Sequence, residues 1–194
     1  MYKYLKKFGK NKSLIKKAYY AAENSFMNDS LNKKSVQNKY KLSVALLGHV
    51  YNVYDSFVNM NIIKKLDSLK VNVFFSNDAE DISINEEIDK LYKKPFWSFM
   101  NLYGSSLYFR NDKKTDGIIY ISSFACGIDS VIIELIKEKI GKFPLLVLKV
   151  DEETGEAGMD TRLEAFVDML ERRKKIESDI SPYGERLSCR RSAV

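Results

Sequence analysis

The run SSFACGIDS, Ser122 to Ser130, holds a single thiol, Cys126, between the apolar stretch Gly117–Ile121 and the apolar-periodic stretch Val131–Ile140. Strand, short loop and helix are the elements this pattern predicts. Cys126 then falls at the carboxyl end of a buried strand and just before a helix N-terminus, where backbone N–H groups and the helix dipole favour an anion such as a thiolate. Two chemistries are open to a thiol so placed, nucleophile and metal ligand. A free cysteine in mid-strand would read instead as a small buried hydrophobe. A nucleophilic thiol wants a base, and His49 is the one histidine of the chain. By itself His49 also reads as a hydrogen-bonded loop residue, and Asn52 and Asp55 as turn or cap residues.

Those residues need a scaffold that brings distant loops together. Short apolar runs at Leu42–Leu47, Val71–Phe75, Gly117–Ile121 and Leu145–Val150 alternate with helical patterns. The helical patterns are a face of Val58, Ile62, Leu66 and Leu69 with Asp55 or Ser56 as N-cap, then Ile84–Leu91, Trp97–Arg110, Ser130–Ile140, and a last helix from Thr161. In that last helix Thr161 and Glu164 fit a capping box, and Leu163, Phe166, Val167 and Leu170 form the buried face. Strands alternating with helices predict crossover connections and a mostly parallel, two-sided sheet of four strands. The strands are nearly continuous apolar runs, as buried parallel strands are. The fold class is therefore α/β, a three-layer α/β/α sandwich of flavodoxin-like or Rossmann-like type, with strand order 2-1-3-4.

In such a sheet the loops at the carboxyl ends of the strands share one edge. Four stretches should converge there: Gly48–Asp55, Ser76–Asp81, Ser122–Ser130 and Asp151–Gly158. The second is ordinary loop composition. The acidic fourth, with Asp151, Glu152, Glu153, Glu156 and Asp160, lacks the positional pattern of a calcium loop and reads as solvated. Phe96, Trp97 and Phe99 read as helix-packing residues, and Cys189, in a polar tail, as a free thiol without a role.

Composition narrows the partners. The net charge of +6 is uneven: residues 1–42 hold 11 lysines against Glu23 and Asp29, a net of +9, and the remainder is net −3. The basicity belongs to an N-terminal extension in which Leu14, Ile15, Ala18, Ala22 and Phe26 recur at helical spacing, predicting an amphipathic helix over Ser13–Met27 and a polar linker over Asn28–Lys41. The organisation expected is a basic helical extension and linker at 1–42, an α/β domain at 43–178 and a tail at 179–194. No nucleic-acid motif accompanies the lysines. With no apolar run near the length of a membrane span and no signal-peptide pattern, the expected location is the cytoplasm. Two cysteines without C-x-x-C spacing argue against a disulfide framework and against a self-sufficient zinc or iron–sulfur site within this chain, so that any metal would need ligands from elsewhere.

Four segments taken in order, Leu46–Leu66, Lys93–Phe99 (KKPFWSF), Asp116–Ser130 and Asp151–Leu170, resemble the 2-hydroxyacyl-CoA dehydratase-related proteins. More closely, they look like the uncharacterised branch associated with the ATP-dependent activator of those dehydratases. The resemblance covers Ser43 to Leu170 and implies an iron–sulfur protein of anaerobic metabolism, with a cubane-type cluster held by cysteines and electrons delivered by the activator. It implies a dehydratase or a low-potential reductase reaction on a small-molecule or acyl-CoA substrate. Cys126, in the family's SFxCGxDS motif, is implied as a cluster ligand, with Ser122, Ser123 and Gly127 shaping its shell. His49, Tyr51, Asn52, Asp151 and Glu156 are implied to bind or protonate the substrate.

The chain departs from that pattern. The region before Ser43 lacks the further cysteines of the family, and one thiolate cannot hold a cubane. Val50, Ile128 and Glu153 stand where proline, proline and histidine are common. The cluster is thus expected in a complete assembly and not in this chain alone. The missing thiolates would come from a cysteine-bearing N-terminal domain or second subunit, beside the activator. The chain reads as a C-terminal domain, a separately encoded half, or a relative that has lost the cluster. In the last case it is a metal-free α/β binding or interaction domain.

Overall fold

The computed structural model describes residues 2–5, 7, 11–32, 40–91, 100–112 and 114–179. It divides into two compact units, Met1–Lys34 and Ser35–Val194. In the first, a short helix α1 (Tyr2–Leu5) precedes the long helix α2 (Lys12–Asn32). The predicted helix is present and runs further than its apolar spacing suggested. Of its expected apolar face Ile15 is buried, whereas Leu14, Ala18 and Ala22 are exposed. The side chain of Phe26 lies outside the described residues, as do Phe96, Trp97, Phe99 and Cys189.

The second unit is built on four parallel strands, β1 (Leu42–Gly48), β2 (Val71–Phe75), β3 (Gly117–Ser123) and β4 (Leu145–Val150), in the order β2-β1-β3-β4. This is the predicted three-layer sandwich. Helices α3 (Val50–Tyr54), α4 (Ile62–Ser68) and α8 (Glu156–Asp179) cover one face, where Val44, Leu46, Ile119 and Ile121 meet Ile62, Leu66, Leu163 and Leu170. Helices α5 (Asp81–Asp89), α6 (Met100–Asn111) and α7 (Gly127–Ile140) cover the other, where Ala45, Leu47, Ile118 and Tyr120 meet Met100, Tyr103, Ile132 and Ile136. Each such aliphatic side chain contributes about 1.5–3 kcal/mol when fully buried, and period-2 alternation divides β1 and β3 between the two cores. No helix among the described residues is long and apolar enough to cross a membrane.

Helices α5 and α7 begin three residues earlier than expected, at Asp81 and Gly127, and three further differences have a local reason. The segment expected to be a loop after β1 forms α3, because the His49 carbonyl accepts the N–H groups of Asn52 and Val53. The next helix starts at Ile62 rather than near Ser56, since Met60 and Asn61 adopt left-handed conformations (φ 52° and 57°) that a right-handed helix cannot contain. Asp55 does act as a cap, its Oδ1 accepting from Phe57 and Val58, but on a turn. Finally, α8 begins at Glu156 and not at Thr161, whose Oγ1 donates back to the Ala157 carbonyl inside the helix instead of capping it. Gly155 and Gly158, which read as loop residues, simply flank and enter its first turn.

Candidate functional site

The pairing of β1 with β3 sets the loops that leave them side by side, at the point where the chain turns to opposite sides of the sheet. Gly48, the last residue of β1, is paired with Ile121 at φ 150°, and a Cβ there would lie 2.4 Å from the Ile121 carbonyl oxygen. A glycine is what lets the two strand ends approach and delivers His49 to the edge. On the β3 side, the Phe124 N–H donates to the Val150 carbonyl at 2.8 Å, and Ala125 takes a left-handed conformation (φ 58°). That turn places Cys126 as the N-cap residue of α7.

His49 and Cys126, 77 residues apart in the chain, meet with Nε2 and Sγ 3.9 Å apart. The same nitrogen lies 3.1 Å from Oδ1 of Asp129. Asp129 stands in the first turn of α7, where its carboxylate is favoured by the helix dipole. It is fully buried, and its Oδ1 accepts the Tyr120 hydroxyl at 2.8 Å. Burial first, then the Asp129 charge, pushes the Tyr120 phenol well above its usual range, so it remains a donor. The other oxygen, Oδ2, has no hydrogen-bond partner among the described residues. The tyrosine ring of Tyr51 stacks on His49, with centroids 5.4 Å apart and planes 9° from parallel.

Asp129 is the member that the sequence reading passed over, although it stands inside the SSFACGIDS run. The signal was its spacing: residues three apart at a helix start share a side, so an N-cap cysteine and an aspartate three positions on face the same point. Next to this cluster, Asn52 is fully buried and its Oδ1 accepts the Ser123 hydroxyl at 3.1 Å, while its Nδ2 has no partner among the described residues. Ser122 is buried, with its hydroxyl donated to the Ser123 carbonyl. Gly127 is exposed, and a Cβ there would meet nothing within 4 Å. The glycine after Cys126 thus borders open space.

Ser123 also lines a cleft of about 500 Å³ with Phe57, Val58, Met60, Val150, Asp151, Glu152, Thr154 and Glu156. The structure therefore sorts the predicted residues into two adjoining groups. His49, Tyr51 and Cys126 gather around Asp129, Ser123 and the Asp151 and Glu156 pair line the cleft, and the Asn52–Ser123 hydrogen bond joins the groups. The acidic loop is largely occupied with itself. Asp151 Oδ1 accepts from the Thr154 hydroxyl and the Glu153 N–H. Lys65 bridges Glu156 at 2.8 Å and Asp160 at 2.6 Å. Burial pulls the Lys65 ammonium down, but the two carboxylates outweigh it and hold its pKa above the usual value.

Residues 1–78 match the CoA enzyme activase uncharacterised domain. This bears out the resemblance to the activator-associated branch. The CoA enzyme activase match takes in the basic extension, which the resemblance over Ser43–Leu170 had left outside, and it includes His49, Tyr51 and Asn52. Cys126, Asp129 and the cleft residues from β3 onward lie beyond the matched part. No curated protein and no solved structure matches the chain.

Proposed function

We propose that this chain is a component of a CoA-enzyme activase system, and that its sheet edge carries a metal-binding thiolate beside a small-molecule cleft, in the service of a dehydratase-like or low-potential reductase-like reaction. The observation that supports it is the convergence of Cys126, His49 and Asp129 on one point at the carboxyl edge, in a chain with a CoA enzyme activase match. A metal bound there would supply a Lewis acid or a redox centre. The chain's own residues do the rest. Asp129 and Tyr120 hold the imidazole side of the site, Asn52 and Ser123 connect it to the cleft, and Phe57 and Met60 give that cleft an apolar wall.

The cubane cluster that the resemblance implies is held by several cysteine thiolates, and one thiolate cannot hold it. This chain has two cysteines, and Cys126 is the one among the described residues. The donor set of sulfur, nitrogen and oxygen does not fit a cubane.

Anaerobic purification, from cells that do and do not co-express the ATP-dependent activator and a cysteine-bearing dehydratase-like subunit, tests the reading. The expected result is a complex whose metal content falls when Cys126→Ala is introduced, together with its activator-driven turnover of an acyl-CoA. A complex that keeps its metal and its turnover with Cys126→Ala overturns the proposal. Acid-labile sulfide lost in step with iron would mark a cluster completed by the partner's thiolates, and metal without sulfide an ion held by this chain.

A further inference from the structure

We infer that His49, Cys126 and Asp129 bind one mononuclear divalent transition-metal ion, of the zinc or ferrous class, within this chain alone. The inference rests on the reading of the edge as a metal–thiolate site and names the kind of metal. The three ligand atoms all lie within 4.8 Å of one another. A tetrahedral ion with bonds of about 2.0–2.3 Å places its ligands roughly 3.2–3.7 Å apart. The Nε2–Oδ1 separation of 3.1 Å and the Sγ–Nε2 separation of 3.9 Å bracket that range, and the remaining thiol–carboxylate pair lies within 4.8 Å, so a side-chain rotation that draws Cys126 toward Asp129 completes the set.

The alternative use of these residues, a thiol nucleophile with a histidine base and an orienting carboxylate, needs the thiol and the carboxylate on opposite ring nitrogens. Here both face Nε2. Three potential ligand atoms within 4.8 Å of one another, two of them facing the same ring nitrogen, suit a ligand set rather than a proton relay. A second observation points the same way. Asp129 is fully buried, yet Oδ2 has no hydrogen-bond partner among the described residues. A buried carboxylate left partly unsatisfied is costly, and a cation beside it removes that cost.

The chemistry of the donors selects the ion. One thiolate, one imidazole and one carboxylate suit zinc or ferrous iron, whereas magnesium and calcium take oxygen ligands. Three protein ligands leave a fourth position, as in catalytic zinc sites. Cys126 is half-buried and Gly127 borders open space, so that position is the one a water or small ligand reaches. The Tyr120 hydroxyl, donated to Asp129 Oδ1, fixes the carboxylate from outside the ligand set.

Cobalt(II) reports on such a site directly. The purified full chain, stripped with a chelator, is titrated with cobalt under anaerobic conditions without activator or partner. One cobalt per chain is expected, with a thiolate-to-cobalt charge-transfer band and the intense visible bands of tetrahedral cobalt. Cys126→Ser should abolish the charge-transfer band. His49→Ala and Asp129→Asn should each weaken binding at least about 10-fold, and Tyr120→Phe about 10–100-fold with the bands retained. Circular dichroism of each variant checks the fold, and Cys126→Ser is near-isosteric should His49→Ala unfold. Absence of the charge-transfer band in the unaltered chain at saturating cobalt overturns the inference, as does binding that His49→Ala and Asp129→Asn leave unchanged. Because no partner is present, failure here leaves the activase-system assay standing, and failure of that assay leaves the cobalt spectrum standing.

Discussion

Tyr120 and Asp129 show how one buried pair can serve both stability and the site. The phenol donates to a carboxylate at 2.8 Å with both groups out of water, and a hydrogen bond to a charged group contributes about 1.5–3 kcal/mol. Tyr120→Phe is therefore expected to lower stability in urea unfolding by about that amount. It should also change the alkaline limb of the stability profile. Because burial raises the folded-state value, the unfolded chain releases the Tyr120 proton first. Its contribution is thus present in full below the ordinary value of 10.0 and is lost as pH climbs above it. The unaltered chain should lose stability more steeply than Tyr120→Phe above that pH. Equal slopes in the two proteins would contradict the assigned burial. Of the site residues, Cys126 and His49 were legible as chemistry because few residue types do what they do. Asp129 was not, since an aspartate in the first turn of a helix reads as ordinary dipole compensation until the tertiary structure puts an imidazole 3.1 Å from it.

Among the elements, β1 and β3 carry the site, and their junction is the sensitive point. A methyl group at position 48 would have to displace the Ile121 carbonyl, 2.4 Å from where its carbon would stand, at a backbone φ that side chains disfavour. Gly48→Ala is expected to destabilise the fold by at least about 2 kcal/mol in denaturant titration. It should also separate His49 from Cys126, which the cobalt spectrum would report independently. A variant as stable as the unaltered chain would show that the strand ends are further apart than described. The strands themselves were readable from continuous apolar runs bounded by polar loops, and β2 and β4 have the bounds those runs predict. The helices after β1 were not. There the decisive features are left-handed backbone at Met60 and Asn61 and side-chain bonds from Asn59 to the Val53 carbonyl and the Ile62 N–H. Apolar periodicity carries no trace of these.

At the scale of the whole molecule, both cores draw their buried members from residues 42–170. A chain beginning at Ser35 should accordingly keep a single cooperative unfolding transition and its cobalt site. Loss of the transition on removing residues 1–34 would show that the basic helical unit is needed for the fold. What the sequence determined by itself was the class and order of the scaffold: alternating apolar runs require a two-sided parallel sheet, and a parallel sheet gathers its loops at one edge. It also determined that a thiol and the one histidine stand on two of those loops. What the tertiary structure decided was the company they keep. Only the β1–β3 pairing closes 77 residues of separation to 3.9 Å and turns both groups, with the buried Asp129, toward one point. Backbone register across a sheet and the rotamers of buried polar groups are set by long-range packing, so no local pattern of residues could have stated that geometry.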